Sequence, residues 1–128
     1  MFSTENWKPP KTEVNFLMKL LSSTIKSEIR ELHRKGIRLL VIGEIEKLPA
    51  SVLRTLKKAI DLTKDNRQAT LIMALNYGAK DEIVHAARQL AKDVENGKIK
   101  VDDINAGLFE QNLFTKGIPN VDLMIRTS

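Results

Sequence analysis

Apolar residues recur at three- and four-residue steps through the first quarter of the chain, which is the period of an amphipathic helix. Pro10 is tolerated in a first helical turn and Glu13 suits the positive end of the helix dipole. Gly36 supplies a stop signal. The pattern predicts a helix from about Pro10 to about Lys35, with these residues on its apolar stripe: Val14, Leu17, Met18, Leu21, Ile25, Ile29 and Leu32.

Three later stretches have the same helical period. The first places Val52, Leu56, Ala59, Ile60 and Thr63 on one face, and Asp65 and Asn66 end it. The second runs from about Lys80 to Glu95 and ends at Gly97. A shorter helix is predicted around Asp103 to Phe114. The predicted buried face of the second stretch consists of Ile83, Val84, Ala87, Leu90, Ala91 and Val94.

Short apolar segments rich in β-branched residues separate the helices and predict buried strands at 37–43, 69–78 and 121–128. Strands that alternate with helices about thirty residues apart are typical of βαβ units with a parallel sheet. We therefore predict an α/β fold in one domain over residues 1–128. A sheet of three parallel strands leaves unpaired backbone groups along both edge strands, which parallel sheets seldom do. We therefore expect it to be an incomplete part of a larger sheet.

Composition agrees with a folded protein, because 42% of the residues are hydrophobic and 29% are charged. The chain has no cysteine, and no apolar run approaches the ~18 residues of a membrane span. These features predict a cytoplasmic protein without a transmembrane segment. The net charge of +5 favours anionic partners, although most basic residues alternate with acidic ones, as on solvated helix faces.

Several polar groups are expected to have ordinary structural roles. The chain lacks the phosphate loop GxxxxGK[ST] and the metal motif HExxH. His33 and His85 lie on predicted helices without a second histidine at metal spacing, so we expect surface residues. The adjacent carboxylates Asp102 and Asp103 are expected to cap the short helix.

Polar clusters follow the predicted strands, at the sheet edge where open α/β folds bind ligands. They are Gly43-Glu44, residues 76–78 and residues 126–128, with FSTENW as a possible fourth. The hydroxyl, carboxylate and carboxamide groups of FSTENW suit diphosphate binding or proton acceptance, but turn chemistry alone also favours them. Arg126 is a candidate anion-binding residue, because a guanidinium binds phosphate oxygens in a fork.

Four segments taken together resemble the cis-prenyltransferases, specifically bacterial isoprenyl transferases of the undecaprenyl diphosphate synthase type. They are FSTENWKPPKTEV, IRLLVIGEIEKLP, ALNYGAKDEI and VDLMIRTS, and they occur in order along essentially the whole chain. The resemblance implies a magnesium-dependent enzyme that condenses isopentenyl diphosphate with allylic diphosphates in cis geometry. It assigns proton removal to Asn6, isopentenyl diphosphate binding to Arg126, and substrate contacts to Ser3, Thr4, Glu5, Trp7 and Glu13.

The resemblance also implies a fragment, since the family carries its metal-binding aspartate before FSTENW and further diphosphate ligands after IRTS. The Mg²⁺ ligands are therefore expected outside this chain, and the chain alone is expected to be inactive. The complete enzyme is expected to be a homodimer that contacts membranes peripherally through its lipid product. Pro9 and Lys80 depart from the family pattern, which commonly has an arginine at each of these two positions.

Two other functions stay open at this point. One is a non-catalytic partner subunit of a prenyltransferase complex, although a pure scaffold has no need for the proton acceptor in FSTENW. The other is a basic nucleic-acid-binding α/β module. With one Trp and one Tyr, the chain offers little base-stacking surface, so nucleic acid is not an expected partner.

Overall fold

The computed structural model of the chain describes residues 2–3 and 11–127. The chain divides into two compact units, Met1–Ala79 and Lys80–Ser128. The first contains a parallel sheet with two long helices, and the second contains the remaining helices and an extended segment. The α/β class is confirmed, while a single domain over 1–128 stays a prediction.

The sheet of the first unit has three parallel strands in the order β1-β3-β2. They are β1 (Phe2–Ser3), β2 (Ile37–Ile42) and β3 (Ala69–Tyr77). The ladder between β2 and β3 is regular, running from the pair Ile37 and Ala69 to the pair Ile42 and Ala74. The predicted strands at 37–43 and 69–78 are confirmed, and both are largely apolar.

Two helices pack on one face of this sheet. Helix α1 spans Lys11–Arg34, within one residue of its predicted ends, and α2 spans Ala50–Thr63, which ends before Asp65 as predicted. Their apolar faces meet Leu39 of β2 and Leu75 of β3 in one core. Leu17 is the exception on the predicted α1 stripe, because it is 40% exposed. The buried members of this core are Val14, Met18, Ile25, Leu39, Leu48, Val52, Leu56, Ala59 and Leu75.

A buried hydroxyl joins α2 to the edge of the sheet. Thr63 Oγ1 accepts a hydrogen bond from Leu39 N at 3.0 Å and donates one to Ala59 O at 2.9 Å. Among the described strands, β2 pairs only with β3, so this backbone N–H has no partner in the described ladder. The Thr63 side chain therefore satisfies a donor that burial would otherwise make costly.

The second unit begins with α3, whose assigned range Ala79–Glu95 starts one residue before the boundary between the units. A 3-10 turn at Val101–Asp103 and the short helix α4 at Ala106–Glu110 follow. The Glu82 carboxylate is buried and accepts hydrogen bonds from Phe114 N at 2.7 Å and Thr115 N at 3.3 Å. These bonds tie the start of α3 to the segment after α4.

The predicted buried face of α3 is largely wrong. Ile83 and Val84 are exposed, as are Ala87 and Ala91, whereas Leu90 is buried and Val94 is half-buried. The buried residues are Glu82, Ala86 and Leu90, which recur at four-residue steps. Periodicity located the helix but not its buried face, because that face includes a carboxylate buried through hydrogen bonds, which an apolar pattern does not reveal.

Two further predictions for the second unit need correction. Residues 121–127 form no strand, and Val121, Leu123, Met124 and Ile125 are each at least 76% exposed. A strand needs a neighbour for its backbone hydrogen bonds, and no described strand pairs with this segment. The helix predicted at 103–114 is confined to α4. Asn105 caps it by accepting from Leu108 N, while Asp103 accepts from Lys100 N in the preceding turn.

Candidate functional site

Strands β2 and β3 end side by side and are locked together by a reciprocal pair of hydrogen bonds. Asn76 Nδ2 donates to Glu44 O at 3.0 Å, and Glu44 N donates to Asn76 O at 3.3 Å. The sequence placed Gly43-Glu44 and Asn76 together at the carboxyl edge of the sheet, and this prediction is confirmed. Backbone and carboxamide groups thus hold the two strand ends together.

The backbone at this edge is conformationally demanding. Asn76 has φ 48 and is 3% exposed, so a buried side chain sits in the left-handed region that asparagine tolerates better than most residues. Gly43 has φ 111, and a Cβ on it would lie 2.1 Å from Leu75 O. Only glycine fits between the two strand ends, because any side chain would force them apart.

Strand β1 ends at the same edge. Its backbone pairs in parallel with β3, Phe2 with Leu75 and Ser3 with Tyr77. Ser3, the first hydroxyl residue of FSTENW, is therefore the last residue of β1 and pairs with Tyr77, next to the junction of Gly43 with Asn76. The other predicted site residues of this segment, which are Thr4, Glu5, Asn6 and Trp7, lie outside the described residues, as does Pro9.

Glu13 lies in the first turn of α1, with its side chain exposed. With Thr12, Phe16 and Leu17 it lines a surface depression of about 390 Å³. Phe16 is 66% exposed, so an acidic group at the helix start borders uncovered apolar surface. The resemblance to cis-prenyltransferases assigns Glu13 to substrate binding. Its contact with substrate stays a prediction.

An apolar cavity of about 360 Å³ lies between α1 and the sheet. Of the described residues that line it, only Thr24 and Glu28 are polar. Such a lining suits a hydrocarbon, since it offers apolar contacts and few hydrogen-bonding groups. Its apolar lining comes from α1 and from both long strands: Leu21, Ile25, Ile29, Leu32, Leu39, Leu71 and Met73.

The sequence predicted the apolar residues that α1 contributes to this cavity, but not those that the strands contribute. Leu71 and Met73 are two positions apart on β3 and therefore on the same face, which is the alternation that could have revealed them. Their contribution depends on which face α1 covers, and the pattern within an all-apolar strand does not decide that.

Arg126 lies in the second unit, in the exposed segment without regular structure. It forms no ion pair with any described residue. His33 and His85 are both exposed, as predicted, and the His85 ring packs against Phe114 with centroids 4.9 Å apart. Among the residues that the structure describes, no three histidine or acidic side chains are grouped to hold a metal ion.

Solved structures with the same fold establish the class of protein. Lavandulyl diphosphate synthase from Lavandula x intermedia, in complex with dimethylallyl diphosphate, has a TM-score of 0.86 and 34% identity. A probable undecaprenyl diphosphate synthase from Campylobacter jejuni has a TM-score of 0.73 and 32% identity. The matches cover 91% and 88% of this chain, and half of each solved chain. The chain thus shares the fold of these two isoprenoid diphosphate synthases over the part that the matches cover.

The sequence comparisons define the family. The family model described as "Putative undecaprenyl diphosphate synthase" matches residues 1–128, and the chain belongs to this cis-prenyltransferase family. It is 48% identical over 127 residues to an isoprenyl transferase of Clostridium perfringens. It is 44% identical to a Pasteurella multocida ditrans,polycis-undecaprenyl-diphosphate synthase specific for (2E,6E)-farnesyl diphosphate.

These relatives are longer proteins than the chain described here. Each alignment covers 99% of this chain but only 50% of the Clostridium perfringens protein and 53% of the Pasteurella multocida protein. The chain thus spans about half the length of the curated relatives it matches. Within the described residues, no helix has the length and apolar character needed to cross a membrane.

Proposed function

We propose that this chain forms part of an isoprenyl transferase that condenses isopentenyl diphosphate with an allylic diphosphate in cis geometry to make a polyprenyl diphosphate. The family match over residues 1–128 carries this proposal. The apolar cavity beneath α1 and the rigid carboxyl edge of the sheet support it. They offer one environment for a hydrocarbon chain and one for polar chemistry.

The cavity is proposed to hold the isoprenoid hydrocarbon. A chain entering between α1 and the sheet would meet Leu21, Ile25, Leu71 and Met73. Each methylene group removed from water contributes about 0.8 kcal/mol, so a single five-carbon unit gains several kcal/mol by entering. This free energy of transfer is the same for each five-carbon unit, so it favours every successive unit of a product that lengthens by repeated addition.

The polar residues of FSTENW are proposed to act on the diphosphate end of the substrates. Ser3, Thr4, Glu5 and Trp7 contact substrate, and Asn6 takes part in proton removal during condensation. Glu13 is proposed to contact substrate at the start of α1. The placement of Ser3 at the end of β1, next to the strand ends of β2 and β3, supports this assignment.

Arg126 is proposed to bind isopentenyl diphosphate through forked hydrogen bonds from its guanidinium. Its lack of an ion pair with any described acidic residue leaves the charge available for an anion. Lys80 keeps the positive charge of the family pattern at the start of α3 but has no forked donor.

Magnesium is proposed for the complete enzyme, where it would neutralise diphosphate charge. Among the described residues, no three histidine or acidic side chains are grouped to hold the ion. Its ligands are proposed to lie in polypeptide beyond this chain, as the family resemblance implies. The 128 residues alone are proposed to be inactive, because they span half of their relatives. A homodimer and a cytoplasmic location are likewise proposed for the complete enzyme.

A chimera tests the residue roles. This chain replaces the matching half of the Clostridium perfringens isoprenyl transferase, and incorporation of radiolabelled isopentenyl diphosphate is measured. Asn6→Ala should lower turnover about 100-fold or more while allylic diphosphate affinity changes little, because proton transfer acts in the transition state. Arg126→Lys should raise the Michaelis constant for isopentenyl diphosphate. Equal losses of turnover and affinity in Asn6→Ala would refute its assignment.

Two further measurements complete this test. Lys116→Gln, an exposed charge change in the second unit, serves as the control and should leave both constants unchanged. The 128-residue chain alone should incorporate no label above background. If it does make polyprenyl product, the proposal that the other half of the enzyme is required is wrong.

A further inference from the structure

A trough runs between α1 and α2, and no strand residue lines it. It consists of two adjoining cavities of about 400 and 610 Å³, which share Lys26 and Ser51 in their linings. One extends from this point toward Asn15 and Pro49, and the other toward Arg30 and Leu62. The trough shares Ile25 and Ile29 with the lining of the apolar cavity beneath α1, but that cavity is also lined by strand residues and opens on the sheet side of the helix.

The charge of this trough is entirely positive. Its lining contains no acidic residue, and the five cations in it form no ion pair with a described side chain. Six other basic residues of the described chain are paired with carboxylates. Five charges equal the whole formal net charge of the protein, so the remaining residues balance one another. The five cations are Lys19, Lys26, Arg30, Arg54 and Lys58.

Helical spacing places these cations in two facing rows. Lys19, Lys26 and Arg30 are seven and four residues apart on α1, and therefore occupy one face over about 16 Å. Arg54 and Lys58 are one turn apart on α2. Like charges at such a spacing repel each other, and none of the five forms an ion pair with a described carboxylate. An anion that lies along both rows would remove this unfavourable term.

The floor of the trough combines hydroxyl and apolar groups. Ser22 and Thr55 join the two helices through a hydrogen bond of 3.1 Å between their hydroxyls. Ile25 and Ala59 are buried beneath the cations, and Leu62 at one end is 46% exposed. A partner that fits this surface therefore has several anionic groups to pair with the cations, and apolar groups next to them to contact Leu62.

We propose that this surface docks on a bilayer that contains anionic phospholipids. Lipid phosphates meet the five cations, and the exposed Leu62 side chain contacts the acyl region beside them. Each Lys or Arg near an anionic bilayer strengthens partitioning roughly fivefold, so five of them account for a factor of several thousand. A nucleic acid fits less well, because no aromatic side chain lines the trough for base stacking.

Vesicle co-sedimentation of the 128-residue chain tests the proposal, with no isoprenoid present, so that its outcome is independent of the proposed catalysis. Vesicles of phosphatidylcholine alone are compared with vesicles that also contain phosphatidylglycerol. The chain should bind only the anionic vesicles, and added salt should weaken the binding. The double variant Lys26→Gln, Lys58→Gln should bind roughly 30-fold more weakly. The control Lys92→Gln, Lys116→Gln removes equal charge from the second unit and should lose less than fivefold.

A second measurement does not depend on removing charge. The chain has no cysteine, so Leu62→Cys and Lys116→Cys each give a single site for a polarity-sensitive fluorophore. Emission should shift to shorter wavelength on anionic vesicles for the label at 62 and stay unchanged for the label at 116. Equal shifts at both sites, equal binding to neutral vesicles, or equal losses in the two double variants would overturn the proposal. Tighter binding of duplex DNA than of vesicles, lost in the Lys26 and Lys58 variant, would also overturn it.

Discussion

Replacing Gly43 by alanine tests whether the end of β2 is held as tightly against β3 as the structure indicates. The new Cβ would lie 2.1 Å from Leu75 O and 3.2 Å from Asn76 O, and both atoms belong to the backbone of β3. Neither can turn away as a side chain would. The φ of 111 adds a conformation that an L side chain rarely adopts.

Two other glycines separate the contributions of steric overlap and backbone strain. Gly97 has φ 69, and an alanine Cβ there would meet no atom within 4 Å, so Gly97→Ala should cost only the ~1–2 kcal/mol of a left-handed residue. The Cβ of Gly36→Ala would lie 2.8 Å from Gln68 Cγ and 3.3 Å from Gln68 Cβ, so the Gln68 side chain must shift and the substitution should cost more than Gly97→Ala. Gly43→Ala combines strain with a backbone overlap worth a further ~1–3 kcal/mol, for a total of about 4 kcal/mol.

Thermal unfolding followed by circular dichroism measures these costs. For 128 residues each kcal/mol corresponds to about 4 °C, so Gly43→Ala should lower Tm by about 15 °C and Gly97→Ala by about 4–8 °C. Hydrogen exchange at the Glu44 amide, which donates to Asn76 O, should be accelerated in Gly43→Ala alone. If Gly43→Ala costs no more than Gly97→Ala, the two strand ends are not in the contact described.

Two further predictions concern a buried hydroxyl and an exposed carboxylate. Thr63→Val leaves the Leu39 amide buried without an acceptor and should cost ~1–3 kcal/mol in urea unfolding, whereas Thr63→Ser keeps the acceptor and should cost less. Hydrogen bonds from Arg34 and Lys35 lower the pKa of Glu31 to about 2, so its contribution to stability is complete above pH 4.5 and is lost as pH falls toward 2. NMR titration should show the Glu31 pKa rising toward 4.5 in Arg34→Gln, and an unchanged value would contradict the pairing.

Regular periodicity explains why most of the fold was predictable. The spacing of apolar residues in α1 and α2 indicates helices, and the short apolar runs of β2 and β3 indicate strands, so each segment has one favoured secondary structure. The predicted strand at 121–128 failed for a different reason. Its residues are apolar enough for a buried strand, but a strand exists only through pairing, and the sequence of one segment does not show whether a neighbour is present.

The candidate site was predictable to a smaller extent. The junction of Gly43 with Asn76 followed from the rule that parallel strands end at one edge. The strand half of the apolar cavity did not, because Leu71 and Met73 are embedded in a run that is apolar on both faces. The basic trough was missed as well. Its cations are spread over two helices with acidic residues between them, and only folding separates the charges onto different faces.

The most direct test of the proposed function is the product length made by the chimera with Leu71→Trp. Leu71 lines the cavity beneath α1 and is 42% exposed, so the larger ring narrows the cavity without requiring a fully buried position. Thr70→Trp is the control, since this exposed neighbour alternates to the other face of β3. The account predicts shorter polyprenyl products from Leu71→Trp than from Thr70→Trp, with the first condensation largely preserved. Products of unchanged length, or a folded chimera that incorporates no isopentenyl diphosphate at all, would contradict it.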